Sequence, residues 1–191
     1  MLHSLWGLTA DFKALADQLA EAGYTVLAPD INFGALPESE QEGLDHLGEA
    51  NPDRLASLVL SSAGLLDEKS EEGPIGVVGF GMGGSLALWA SVRLNDIVAV
   101  AVSFYGAQQI DFAGSRADYL IHLADEDRFI TDDEAAFMEA TMGLEGLSVQ
   151  VERYPGTSHG FADAESDLFE PEAFERAWVR TLGFLAGRLR N

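Results

Sequence analysis

Three short segments carry the residue types needed for chemistry at a carbonyl carbon. The first is the turn Gly79-Phe80-Gly81-Met82-Gly83-Gly84, between an apolar run and a helical one. The second, His122-Leu123-Ala124-Asp125-Glu126-Asp127-Arg128-Phe129-Ile130, places acids beyond a buried strand. The third, Tyr154-Pro155-Gly156-Thr157-Ser158-His159-Gly160-Phe161, presents a histidine beyond another. A histidine can take a proton from an attacking group. A carboxylate behind it fixes the imidazole tautomer and steadies the positive charge that forms.

The elements that must position these residues alternate between strand and helix. The sequence predicts a helix from Asp11 to Ala22, with Phe12, Leu15, Ala16, Leu19 and Ala20 on one face, Thr9 as N-cap and Gly23 as stop. Tyr24 to Ala28 reads as a short buried strand. Residues 29–50 read as a long acidic loop, and Pro52 to Leu66 as a helix. Strands follow at Ile75 to Phe80, Ile97 to Phe104, Tyr119 to Ala124 and Ser148 to Tyr154. The intervening helices are Ser85 to Val92 and Asp132 to Met142. A terminal helix from Pro171 to Leu189 has proline in its first turn. Continuous apolar strands alternating with helices imply an α/β fold, a mostly parallel sheet covered on both faces. Each of the three segments then falls at the carboxyl end of a parallel strand, where ligands bind in open sheets. The length suggests a single domain spanning 1–191.

The order of turn, acid and histidine is that of the α/β-hydrolases. With it go His3-Ser4-Leu5-Trp6-Gly7-Leu8, Glu21-Ala22-Gly23-Tyr24, Val26-Leu27-Ala28-Pro29-Asp30 and Ser103-Phe104-Tyr105-Gly106. Together they make the chain resemble the dienelactone hydrolase family over nearly its whole length. Only the stretches around 35–50 and 107–117 carry no matching motif. The resemblance implies hydrolysis of a small carboxylic ester or lactone without a cofactor. It implies Asp127, rather than Asp125, as the triad acid, His159 as the triad base, and the N–H groups of Leu5 and Met82 as the oxyanion hole. It also exposes two departures. Gly81 stands where the family has a cysteine or serine nucleophile, and Ser4 stands where an acid tends to follow the first-loop histidine. Glycine takes the strained conformation of such a turn with little cost, so the turn survives while the covalent chemistry is lost.

Several readings remain open at this level. Ser4 is a candidate surrogate nucleophile; Ser85, one turn beyond Gly81, is expected to point away. His159 and Asp127 could instead activate water directly. A third reading is a catalytically silent relative that binds a small ligand or partner in the old pocket. A pocket filled by Trp6, Phe80 or Phe161 would favour silence, and an open space above Gly81 would favour water. Gly79, Gly81 and Gly84 also satisfy the G-x-G-x-x-G dinucleotide fingerprint, but the next strand ends Ser103-Phe104-Tyr105-Gly106, without the acid that holds a ribose. His3 could help shape the oxyanion loop, but a structural hydrogen-bonding histidine is the expectation; His46 is expected to be solvated and His122 a satisfied core histidine. No pair of histidines has metal-ligand spacing, so no metal is expected.

Composition narrows the partners. The net charge of −21 disfavours nucleic acid and anionic lipid. With no cysteine, disulfides and thiolate sites are excluded, in keeping with a reducing cytoplasm. No apolar run is long enough to span a bilayer, and no secretory leader is expected. The oligomeric state is not readable. In an α/β-hydrolase a central strand precedes the first loop, and only Met1, Leu2 and His3 are available to form it. The expectation is a missing or very short N-terminal strand, completed by residues upstream of Met1 in the natural polypeptide.

Overall fold

The computed structural model describes residues 1–69 and 73–189. Its elements in chain order are α1 (Ala10–Glu21), α2 (Glu40–Glu49), α3 (Pro52–Lys69), β1 (Ile75–Phe80), α4 (Met82–Arg93), β2 (Val98–Phe104), β3 (Asp118–Glu126), α5 (Asp132–Leu144), β4 (Val149–Ser158) and α6 (Pro171–Leu189). Four strands form a parallel sheet in the order β1-β2-β3-β4.

Helix ends follow local chemistry. The Thr9 hydroxyl accepts from Phe12 N–H at 3.1 Å, and Gly23 leaves α1 with φ +91°. Thr131 and Glu134 form a reciprocal capping box at the start of α5. The apolar stripe of α1 and that of α6 pack one face of the sheet, joining Phe12 and Leu19 to Phe80, Val102, Trp178 and Leu185. On the other face α3, α4 and α5 bring Val59, Leu88 and Met138 against Val77, Ala101 and Ile121. Burying each such side chain stabilises the fold by about 1.5–3 kcal/mol.

Sheet register decides the height at which the chain leaves each strand. Phe80 pairs with Phe104, and Phe104 with His122. The Phe80 and Phe104 rings stack across the strands at 4.2 Å, and the His122 ring lies tilted against Phe104 at 4.4 Å. Gly81 and Tyr105 therefore emerge side by side at the carboxyl edge.

Two expectations are corrected. Tyr24 to Ala28 forms no strand. Its apolar residues pack on the core, but its backbone meets no ladder; the amine of Met1 donates to Leu27 O at 2.7 Å. The region 29–50 is not all loop, because α2 lies within it, capped by the Ser39 hydroxyl accepting from Glu42 N–H. The N-terminal strand is reduced to one bridge, Leu2 to Gly79, made by Leu2 N–H to Val78 O (2.8 Å) and Phe80 N–H to Leu2 O (3.1 Å).

Candidate active site

β1 runs straight into α4 through Gly81, whose φ of +53° and ψ of −118° lie outside the comfortable range of L-residues. The turn is tight. A Cβ on Gly79 would collide with the backbone of Gly83, and one on Gly83 with the carbonyls of Leu2 and His3. A Cβ on Gly84 would come within 2.6 Å of Ser103 Oγ, so Gly79, Gly83 and Gly84 are all consumed by close packing of strand, helix and first loop. At Gly81 itself there is room. A Cβ there would lie 3.6 Å from His159 Nε2, 3.7 Å from Ser4 Cβ and 3.8 Å from Tyr105 Cε2, all ordinary contacts.

His159 follows β4 directly. Its Nδ1 meets Asp127 Oδ2 at 2.8 Å and Oδ1 at 3.0 Å. A carboxylate only accepts, so Nδ1–H is the donor of this pair, and in the neutral imidazole Nε2 is then the acceptor that faces Gly81. Asp127, just past β3, is held in turn by the N–H groups of Phe129 (2.8 Å) and Ile130 (3.0 Å) donating to Oδ1. The rings of Tyr105 (4.9 Å) and Phe129 (4.7 Å) confine the imidazole. Asp125, by contrast, is exposed and accepts from Gly156 N–H.

The first loop is pinned from behind. His3 is fully buried; its Nδ1–H donates to Ser4 O at 2.7 Å and its Nε2 accepts from Ile31 N–H at 2.9 Å. Burial lowers its pKa and keeps it neutral. Asn32 Nδ2 donates to Leu5 O at 2.9 Å, fixing the next peptide. Met82 N–H belongs to the first turn of α4, where helical geometry leaves donors unpaired.

A carboxyl group not singled out in the sequence closes the back of the site. Asp163, buried, accepts from the Ser4 hydroxyl through Oδ1 at 3.0 Å and from the Tyr105 hydroxyl through Oδ2 at 2.9 Å. Burial pushes its pKa up to about 6, against the pull of those two hydrogen bonds. Tyr105 has φ +38°, an unusual conformation for a bulky residue, and burial with the facing Asp163 drives its phenol pKa upward.

These residues open onto a cavity of about 290 Å³, lined also by Leu5, Trp6, Leu44, Leu47, Met82 and Ile130. Glu40, Glu134 and Asp163 are its acidic walls, and no lysine or arginine lines it among the described residues. Trp6 forms a wall rather than a plug, while Phe80 and Phe161 are sequestered in the core. Ser85 lines the cavity instead of turning away, because α4 starts at Met82, a turn earlier than the sequence suggests. His46 is more than a solvated side chain: its Nε2 donates to Asn32 O at 3.2 Å. His122 is a satisfied core histidine between Tyr154 and Thr181.

A parallel sheet with a glycine-rich elbow, an acid and a histidine in that order at its carboxyl edge has the architecture of an α/β-hydrolase. The dienelactone hydrolase family profile matches residues 1–189, and the chain belongs to that family. Protein usf of Aquifex pyrophilus is 26% identical over 196 residues, covering 96% of this chain and 85% of the relative. Carboxymethylenebutenolidase of Pseudomonas putida is 24% identical over 198 residues, covering 96% and 83%. The fold of a dienelactone hydrolase-like promiscuous phosphotriesterase from metagenomic libraries superposes with a TM-score of 0.82 at 17% identity, over 97% of this chain and 84% of that one.

Proposed function

We propose that this chain hydrolyses small carboxylic esters or lactones without an acyl-enzyme, with Asp127 and His159 activating water beside Gly81. One observation carries the reading: His159 Nε2, its other nitrogen held by Asp127, faces open space at 3.6 Å from the position of the absent Cβ. In the attack, Nε2 takes a proton from water as its oxygen bonds to the carbonyl carbon. The resulting oxyanion accepts from the N–H groups of Leu5 and Met82. When the carbon–oxygen bond to the leaving alcohol breaks, the proton on Nε2 passes to the alkoxide, and acid and alcohol result. The rate is modest, since loss of the nucleophile in comparable triads leaves about 10³–10⁴ over water.

The lining favours a neutral substrate. Glu40 is paired with Arg128, but Glu134 and Asp163 leave the cavity anionic, and among the described residues no lysine or arginine lines it to meet a substrate carboxylate. The same acidic surface disfavours nucleic acid, and a cysteine-free chain suits a reducing cytoplasm.

Hydrolysis of a small activated neutral ester, with His159→Ala beside the wild type, tests the proposal. A rate lost in His159→Ala and free of a pre-steady-state burst is expected. No rate, or one indifferent to His159, would favour a silent pocket that binds its ligand without turning it over.

A further inference from the structure

We propose that Asp163 is a positioning residue which, acting through Ser4, completes a two-point cradle for the hydrolytic water. The inference rests on the water-activation reading and extends it. A water beside Gly81 needs more than a base. Its two protons must be held so that a lone pair faces the carbonyl carbon. His159 Nε2 is one acceptor, because the Nδ1 proton is committed to Asp127. Ser4 Oγ is the second. It lies on the Cβ that comes within 3.7 Å of the Gly81 Cβ position, and Ser4 is among the residues that line the cavity. Its own proton is committed to Asp163 Oδ1 at 3.0 Å and one lone pair is turned to Trp6 N–H at 3.4 Å, so what it offers a water is its remaining lone pair.

The polarity of that arrangement depends on an acceptor-only group behind it. Asp163 receives Ser4 O–H on one oxygen and Tyr105 O–H on the other. A carboxylate can take both at once. An amide cannot, because its NH₂ face must donate to one of the two hydroxyls and turn that hydroxyl around. Tyr105, with φ +38° and its ring 3.8 Å from the Gly81 Cβ position, forms the third wall and is held by the same clamp. A buried carboxyl and a strained backbone both cost stability. Features of that kind concentrate where a site requires them.

The arrangement also revises the surrogate-nucleophile reading of Ser4. The proton of its hydroxyl points to Asp163 and not to His159, so the Asp127–His159 pair does not activate it.

The test is a double-mutant cycle on the intact chain, with kcat and KM for a neutral activated ester and a melting curve for each variant. Ser4→Ala and Asp163→Asn are each expected to lower kcat about tenfold with KM little changed, since small misplacements of a reacting group carry penalties of this order or more. The double variant is expected to lose no more than either single one, because both act on one water. Asp163→Asn is expected to melt no lower than wild type, which separates lost positioning from lost folding. A His159-dependent rate untouched by Ser4→Ala or Asp163→Asn overturns the cradle alone, as do losses that multiply in the double variant. Absence of any His159-dependent rate overturns the hydrolytic reading and the cradle with it.

Discussion

His159 Nε2 stands 3.6 Å from the point where a side chain on Gly81 would begin. On the hydrolytic reading proposed above, the base is thus in register with a nucleophile position that holds no side chain.

Restoring a nucleophile is the direct consequence. Gly81→Ser or Gly81→Cys places Oγ or Sγ within reach of Nε2, with only ordinary contacts around the new Cβ. The expected outcome is a rise of about a hundredfold in ester hydrolysis with the appearance of a burst, checked by stopped-flow and by mass spectrometry of the acyl-enzyme. At φ +53° a side chain costs about 1–2 kcal/mol, so a lower melting temperature accompanies the gain.

Asp127→Asn is nearly isosteric but presents an NH₂ group to Nδ1. The imidazole then carries its proton on Nε2 and cannot accept one from water. A fall of about 10²–10⁴ in kcat is expected at neutral pH, measured against an unchanged far-ultraviolet circular dichroism spectrum.

Substrate charge gives a third check. A neutral ester and its carboxylate-bearing analogue meet the same cavity, walled by Glu40, Glu134 and Asp163. kcat/KM is expected to favour the neutral ester by about tenfold at low ionic strength, with the gap narrowing as salt rises. Preference for the anionic analogue would contradict the assignment of substrate class.

Two buried groups tilt stability with pH in opposite directions. Asp163 keeps its proton in the folded state until about pH 6, against an ordinary value of 3.8, chiefly through burial, with Glu165 opposing its ionisation and His159 favouring it. The folded state binds more protons in that window, so this contribution is present below pH 4 and lost as pH rises through 6. The difference of roughly two pH units corresponds to at most about 3 kcal/mol. His122 is pushed down to about 3 by burial and by Arg180, and its contribution is present above pH 6.5 and lost as pH falls toward 3. Its tautomer is fixed, since Thr181 Oγ1 gives its proton to Ala177 O and must accept from Nε2. Denaturant titrations from pH 4 to 8 are expected to show Asp163→Asn gaining on wild type as pH rises. An advantage that shrank over that range would contradict the assignment.

Much of this was legible in the sequence because it is local. The apolar runs of β1 to β4, the caps Thr9 and Pro171, and the motifs around Gly81, Asp127 and His159 all declare themselves within a few residues. Tyr24 to Ala28 misled because its apolar residues do pack on the core, and residue pattern alone does not tell whether a backbone finds a partner strand. The helix α2 does carry a local signal: Ser39 followed three residues later by Glu42, ahead of Leu44 and Leu47. Asp163 had no local signal beyond being an acid next to Phe161 and Ala162. Its meaning comes from Ser4 and Tyr105, 159 and 58 residues away, and only the folded chain brings them together.

The knot at Asp163 also bears on how tolerant the pocket can be. It ties the first loop, the end of β2 and the segment after His159 to a single buried carboxyl, so that wall cannot adjust to a larger acyl group without breaking two hydrogen bonds at once. Another wall is α2, where Glu40, Leu44 and Leu47 line the cavity from a helix of which only Gly43 is buried. If the chain hydrolyses esters as proposed, breadth of substrate is therefore set by α2, and changes there retune what is accepted without touching Asp127 or His159.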